Sequence, residues 1–89
     1  METGMLARSR AGHDKEKIYI ISSTEDAYVW LSDGRLRPLE KPKKKKKKHI
    51  QAIYTIPENL QKKLQEGKPL QNEDIKRAIK LYFHEGMRK

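Results

Sequence analysis

Six lysines in succession, Lys43 to Lys48, cannot be packed into the interior of a small protein. Their ammonium groups repel one another, and each loses its hydration if buried without a partner. The run belongs to a wider basic band. Arg35 to His49 carries nine Lys and Arg side chains against one acid, Glu40, a net of +8. The other 74 residues carry twelve basic and eleven acidic side chains, a net of +1, within a total of +9. The chain therefore reads as a nearly neutral body with one cationic segment, predicted to be a loop over 41–48 that is mobile without its partner. That partner is expected to be polyanionic, because lysine serves phosphate as a point charge without base specificity. By itself the band suits RNA, DNA or an anionic lipid equally, or a solvated loop that only maintains solubility.

At 89 residues there is room for one small domain and an appendage. Hydrophobic residues are 35% of the chain and charged residues 37%, so the core is thin and an enclosed pocket is not expected. The lack of cysteine excludes a disulfide framework, a Cys-based zinc site and a thiol nucleophile, and fits a reducing compartment. His13, His49 and His84 have no metal-site spacing. No Ser-His-Asp, paired-carboxylate or glycine-rich phosphate pattern stands out. These readings predict a binding protein rather than an enzyme, with no metal and no cofactor. No apolar run approaches the roughly 18 residues of a membrane span, and the N-terminus lacks the apolar stretch of a signal peptide. The expectation is a cytoplasmic protein with no membrane partner, monomeric when free.

Periodicity divides the chain in two. Residues 1–4 read as a disordered end. Met5 to Ala11 alternates, with Met5, Ala7, Ser9 and Ala11 on one side and Leu6, Arg8 and Arg10 on the other. Lys17 to Ser22 and Ala27 to Leu31 are apolar and rich in β-formers, predicting two strands. Asp33-Gly34 is a hairpin signal, with Arg35 to Leu39 as the returning strand, placed at an edge by Pro38. His49 to Tyr54 is the fifth strand candidate. Helical signals follow. Pro57 opens a first helix that Gly67 closes. Asn72 is the expected N-cap of a second, whose stripe is Ile75, Ala78, Ile79, Tyr82 and Phe83. The reading is a mainly β domain over 5–56 with a helical appendage over 57–89. Tyr28 and Trp30 share a face opposite Val29 and Leu31. Trp30 could stack on a base or an arginine. The helix stripe, however, needs an apolar surface, which favours Trp30 packing under Ile79 or Phe83.

Three stretches carry a family resemblance. Ser9-Arg10-Ala11-Gly12-His13-Asp14-Lys15 resembles the opening of a KOW motif. Asp33-Gly34-Arg35-Leu36-Arg37-Pro38-Leu39-Glu40-Lys41-Pro42, followed by Lys43 to Gln51, resembles the rest of one subgroup. That subgroup is the bacterial KOW-domain RNA-binding proteins, related to the fourteenth large-subunit ribosomal protein of archaea and eukaryotes. The similarity covers Met5 to Gln51. It implies a small five-stranded Src-homology-three-like barrel, to which two C-terminal helices are added. It also implies RNA as partner, specifically ribosomal RNA, with ribosomal proteins as neighbours. The candidate RNA-binding residues are Arg35, Arg37, Lys41, Lys43, Lys44, Lys45, Lys46, Lys47, Lys48 and His49. Arg8, Arg10, Lys15 and Lys17 either extend that surface or are solvated residues paired with Asp14 and Glu16. Gly12 is first a turn glycine and secondly a point of close phosphate approach. KOW sequences usually carry glycine where Glu16 stands here. At positive φ that replacement would cost about 1 kcal/mol. Two other functions fit less of the chain: a barrel binding a peptide through Tyr28 and Trp30, and a transcription-associated KOW factor.

Overall fold

The computed structural model describes residues 1–10 and 17–87, without the side chains of 85–87. Gly12, Lys15 and Glu16 lie outside the described residues. The elements are β1 (Leu6–Ser9), β2 (Ile18–Thr24), β3 (Tyr28–Ser32), β4 (Lys43–Lys46), β5 (Ile50–Ile53), α1 (Glu58–Gln65) and α2 (Asn72–Met87). The strands form one antiparallel sheet in the order β4-β3-β2-β1-β5.

Both faces of the middle of this sheet are covered. That is why β2 opens with four buried residues in succession, Ile18 to Ile21, instead of alternating. On one face Ala7, Tyr19, Ile21, Val29, Leu31 and Ile50 form a cluster, with Met1 and Met5 against it. On the other, Leu6, Ile18 and Ile20 meet Leu60 of α1 and Ile75 and Ala78 of α2. Ala7 and Ser9 are buried and Arg8 is exposed, as the alternation in β1 predicts.

The two edge strands, β4 and β5, are separated only by a 3-10 turn, Lys47–His49. A 3-10 segment rises about 2.0 Å per residue, so the edges approach at one corner and the sheet curls. The register of β2 on β3 shifts between Ile21 and Ser23, a bulge that adds twist. No ladder joins β4 to β5 among the described residues, so the sheet stays open and the expected barrel is not closed by hydrogen bonds.

Three local expectations change. Arg35 to Leu39 is not a strand; the strand returning from β3 is Lys43–Lys46 itself. The expected lysine loop is therefore an edge strand followed by the 3-10 turn. The 1–4 segment is also tied down: the Gly4 N–H donates to the Ile21 carbonyl at 2.8 Å, and Met1 packs on the first cluster.

The stop of α1 follows its sequence signal, whereas both helix starts differ from theirs: Pro57, expected as the first helical residue, is the N-cap of α1. Gly67 takes φ +69°, the Lys68 N–H reaches Lys63 O at 2.9 Å, and the Gly67 N–H reaches Leu64 O at 3.2 Å. This is a Schellman closure of α1. At the start of α2, the Gln71 carbonyl accepts from Asp74 and Ile75, and Asp74 Oδ2 accepts from the Gln71 N–H at 2.9 Å. The capping role expected of Asn72 thus falls to Gln71 and Asp74. Asn72 instead holds the preceding loop: its Oδ1 accepts from the Leu39 N–H at 2.8 Å, and its amide donates to Glu40 at 3.0 Å.

Candidate nucleic-acid interface

Pairing with β3 sorts the lysines by face. Lys44 stands opposite Trp30 and Lys46 opposite Tyr28, while Lys43 and Lys45 stand opposite Leu31 and Val29. Cross-strand partners point the same way. Lys44 and Lys46 therefore share an exposed face with the two aromatics, and Lys43 and Lys45 lie half-buried beside the inner cluster. The half-buried positions suit lysine, whose aliphatic stem can cover apolar surface while its ammonium reaches water. Charges along an open edge also discourage strand-to-strand aggregation.

Lys44 Nζ lies 4.3 Å from the centroid of the Tyr28 ring and 5.5 Å from that of Trp30. Such cation–π contacts contribute roughly 0.5–1 kcal/mol at exposed sites. Trp30 is half-buried in this setting and does not belong to the layer under the helices. The expectation that it packs under Ile79 or Phe83 is corrected: α2 seats on β2, and Ile18 and Ile20 supply the apolar surface its stripe needs.

The 3-10 turn fixes the remaining lysines. The Lys47 N–H donates to Ala27 O at 2.9 Å, and the Arg10 N–H donates to His49 O at 2.9 Å. Arg10 is thereby set beside Lys48 and His49, all three exposed. Arg8 is exposed on β1, opposite Ile18 and Gln51. No salt bridge neutralises Lys44, Lys45, Lys46, Lys47 or Lys48 among the described residues. Glu40, the one acid of the band, is engaged by Asn72.

Arg35 and Arg37 sit on an ordered loop. Asp33 Oδ1 accepts from the N–H groups of Arg35 (2.8 Å) and Arg37 (2.9 Å), and the Ser32 hydroxyl donates to Arg37 O at 2.7 Å. Asp33-Gly34 thus starts a longer connection instead of a two-residue hairpin turn. Gly34 has φ +78°, and a Cβ there would stand 2.6 Å from the Asn72 carbonyl oxygen. Lys41, exposed, closes the loop through its N–H to Pro38 O at 2.9 Å. Arg37, Lys17 and Lys43 line a hollow of about 260 Å³.

The loop brings Arg35 to α2, where it lines a second groove with Lys17, Lys76, Arg77 and Lys80. The three α2 cations are absent from the sequence-predicted set. Their signal is the i, i+4 pair Lys76 and Lys80 flanking the apolar stripe, which the lysine run overshadows. The candidate residues therefore divide between the aromatic-backed edge (Lys44, Lys46), the corner (Arg10, Lys47, Lys48, His49) and the Asp33 loop (Arg35, Arg37, Lys41). No described helix is long and apolar enough to cross a membrane. No protein-family model matches this chain, and a search of curated proteins finds no match either.

Proposed function

We propose that this protein binds RNA in the way the KOW resemblance implies, laying β4 and its 3-10 turn along the phosphates of folded ribosomal RNA. It acts as a binding protein, not an enzyme, and works in the cytoplasm on or beside the ribosome. The observation that carries the reading is the exposed pair Lys44 and Lys46, backed by Tyr28 and Trp30 and followed at the corner by exposed Lys48, none of them neutralised by a described acid. Rows of lysine on a rigid support neutralise phosphates and release counterions without reading bases. The curl of the sheet at the 3-10 corner supports a KOW-type barrel as the scaffold. Peptide binding through the aromatic face fits less well, because Lys44 occupies the ring faces such a ligand would use.

Titrating structured ribosomal RNA fragments at several salt concentrations tests this. With about five phosphates neutralised, log affinity against log salt should fall with a slope near about −4 to −5. Changing Lys44, Lys46 and Lys48 to alanine should reduce that slope by up to about three units. A triple variant with the parent's affinity and slope would leave the lysines a solubilising edge. Co-sedimentation with ribosomes, against co-purification with RNA polymerase, separates the translation role from a transcription role.

A further inference from the structure

The groove between α2 and the Asp33 loop shares Arg35 and Lys17 with the candidate RNA-binding residues, but its α2 wall plays no part in the RNA reading. It measures about 1080 Å³ and is half-open to solvent. Ile79 and Phe83, four residues apart on α2, give it an apolar wall, with Phe83 47% exposed; Leu81, 41% exposed, lines the groove from another side of the helix. Arg35, Lys76 and Lys80 stand around that wall, and none makes a salt bridge among the described residues. The one acid lining the groove among the described residues, Asp33, is engaged through its Oδ1 by the Arg35 and Arg37 N–H groups.

An apolar wall rimmed by cations that no described acid neutralises selects its occupant. Phosphates alone would satisfy the rim but leave aliphatic surface in water. A second copy of this chain would bring its own +9 charge against the same cations. The complementary ligand has carboxylates and aliphatic side chains together. We propose that this groove docks an acidic amphipathic segment of a partner protein, its apolar side chains on Ile79 and Phe83 and its carboxylates against Lys76, Lys80 and Arg35. From Lys76 to Phe83 the wall runs about 10–12 Å along the helix axis, enough for about two turns of a bound helix. Arg35 is shared with the RNA-binding candidates, but Lys76, Lys80 and Phe83 are not, so variants at these α2 positions test the docking separately from RNA binding by β4.

The test uses the full chain and a synthetic helical peptide of about four turns, with leucines on one face and glutamates on the other. Saturable binding should be about tenfold tighter than for a scrambled peptide of identical composition, with the largest amide shifts at Lys76 to His84 and Arg35. Lys76→Glu with Lys80→Glu should weaken the peptide at least about tenfold and leave the salt dependence set by Lys44, Lys46 and Lys48 in place. Phe83→Ala, a neutral change, should weaken it too and excludes a purely electrostatic effect. Equal binding of the scrambled peptide, or shifts centred on Lys43 to Lys48, would overturn the docking. So would stronger engagement of the α2 amides by an RNA duplex or by equimolar phosphatidylserine–phosphatidylcholine vesicles, or burial of the groove in a dimer seen by sedimentation.

Discussion

The Lys44 ammonium sits over the Tyr28 ring, 4.3 Å from its centroid, across the β3–β4 pair. This contact shows how six like charges can occupy regular structure. An extended strand sends neighbouring side chains to opposite faces, so Lys44 and Lys46 stand about 7 Å apart on one face. That is close to the screening length of roughly 8 Å at physiological salt, so their repulsion is modest. The ladder to β3 then supplies the backbone hydrogen bonds that a free loop would take from water. The amides of Lys43 to Lys46 should accordingly be as ordered as those of Ile18 to Ile21, with order parameters near about 0.85 before any partner is added. Values below about 0.6 in heteronuclear relaxation would return the segment to a mobile loop.

The two ends of the α2 stripe should behave differently. Ile75 is fully buried with Leu6, Ile18, Ile20, Leu60 and Ala78, whereas Phe83 is 47% exposed at the rim. Ile75→Ala should cost about 2–5 kcal/mol, in the range for large-to-small core changes. Phe83→Ala should cost well under half as much, because its ring keeps much of its contact with water. Urea unfolding of both variants checks this. Equal losses would mean that the groove wall belongs to the core.

Gly34 and Gly67 both have positive φ, yet they are not equivalent. At Gly67 (φ +69°) an added Cβ meets nothing within 4 Å, so Gly67→Ala should cost only the left-handed strain, about 1–2 kcal/mol. At Gly34 (φ +78°) the same atom would come within 2.6 Å of the Asn72 carbonyl oxygen, a backbone atom that cannot swing aside. Gly34→Ala should therefore lower the thermal midpoint distinctly more than Gly67→Ala. It should also shift the Leu39 amide, whose hydrogen bond to Asn72 seats the loop. Matching midpoints would show that the loop does not press on α2.

Much of the architecture is legible in residue order, and the failures share one cause. Period-two alternation in Leu6 to Ser9, the apolar runs of β2 and β3, and the helix stop at Gly67 depend on near neighbours, and they fold as their patterns predict. Lys43 to Lys46 has no strand signal of its own, because its ladder depends on β3 and on a rigid Asp33 loop that delivers it there. Arg35 to Leu39 looks extended, but Ser32, Asp33 and Asn72 draw its backbone into a loop. The candidate site shows the same division. The charge of the lysine run is plain from composition, whereas the sorting of Lys44 from Lys45 requires a register. The groove at Arg35 and Lys76 joins residues far apart in the chain, and no local spacing announces it.

Asp74 gives the helical layer a measurable acid dependence. Burial alone would raise its carboxyl. The Lys63 ammonium at 2.6 Å, the Gln71 N–H at 2.9 Å and the nearby charges of Lys63 and Arg77 outweigh that effect, and the group lies below its ordinary value of 3.8. With the folded value below the unfolded one, the unfolded chain binds more protons across that window, so stability rises with pH there. The contribution is fully present above the unfolded value and is lost as pH falls through the folded one. Asp74→Asn removes the charge and with it this dependence, at an expected cost near neutrality of about 1 kcal/mol for a partly buried pair that also caps a helix. Unfolding midpoints for the parent and the variant, measured from neutral pH into the acid range, should converge on acidification. A gap of constant size at every pH would assign the loss to packing or hydrogen bonding at the start of α2, not to the Lys63–Asp74 charge pair.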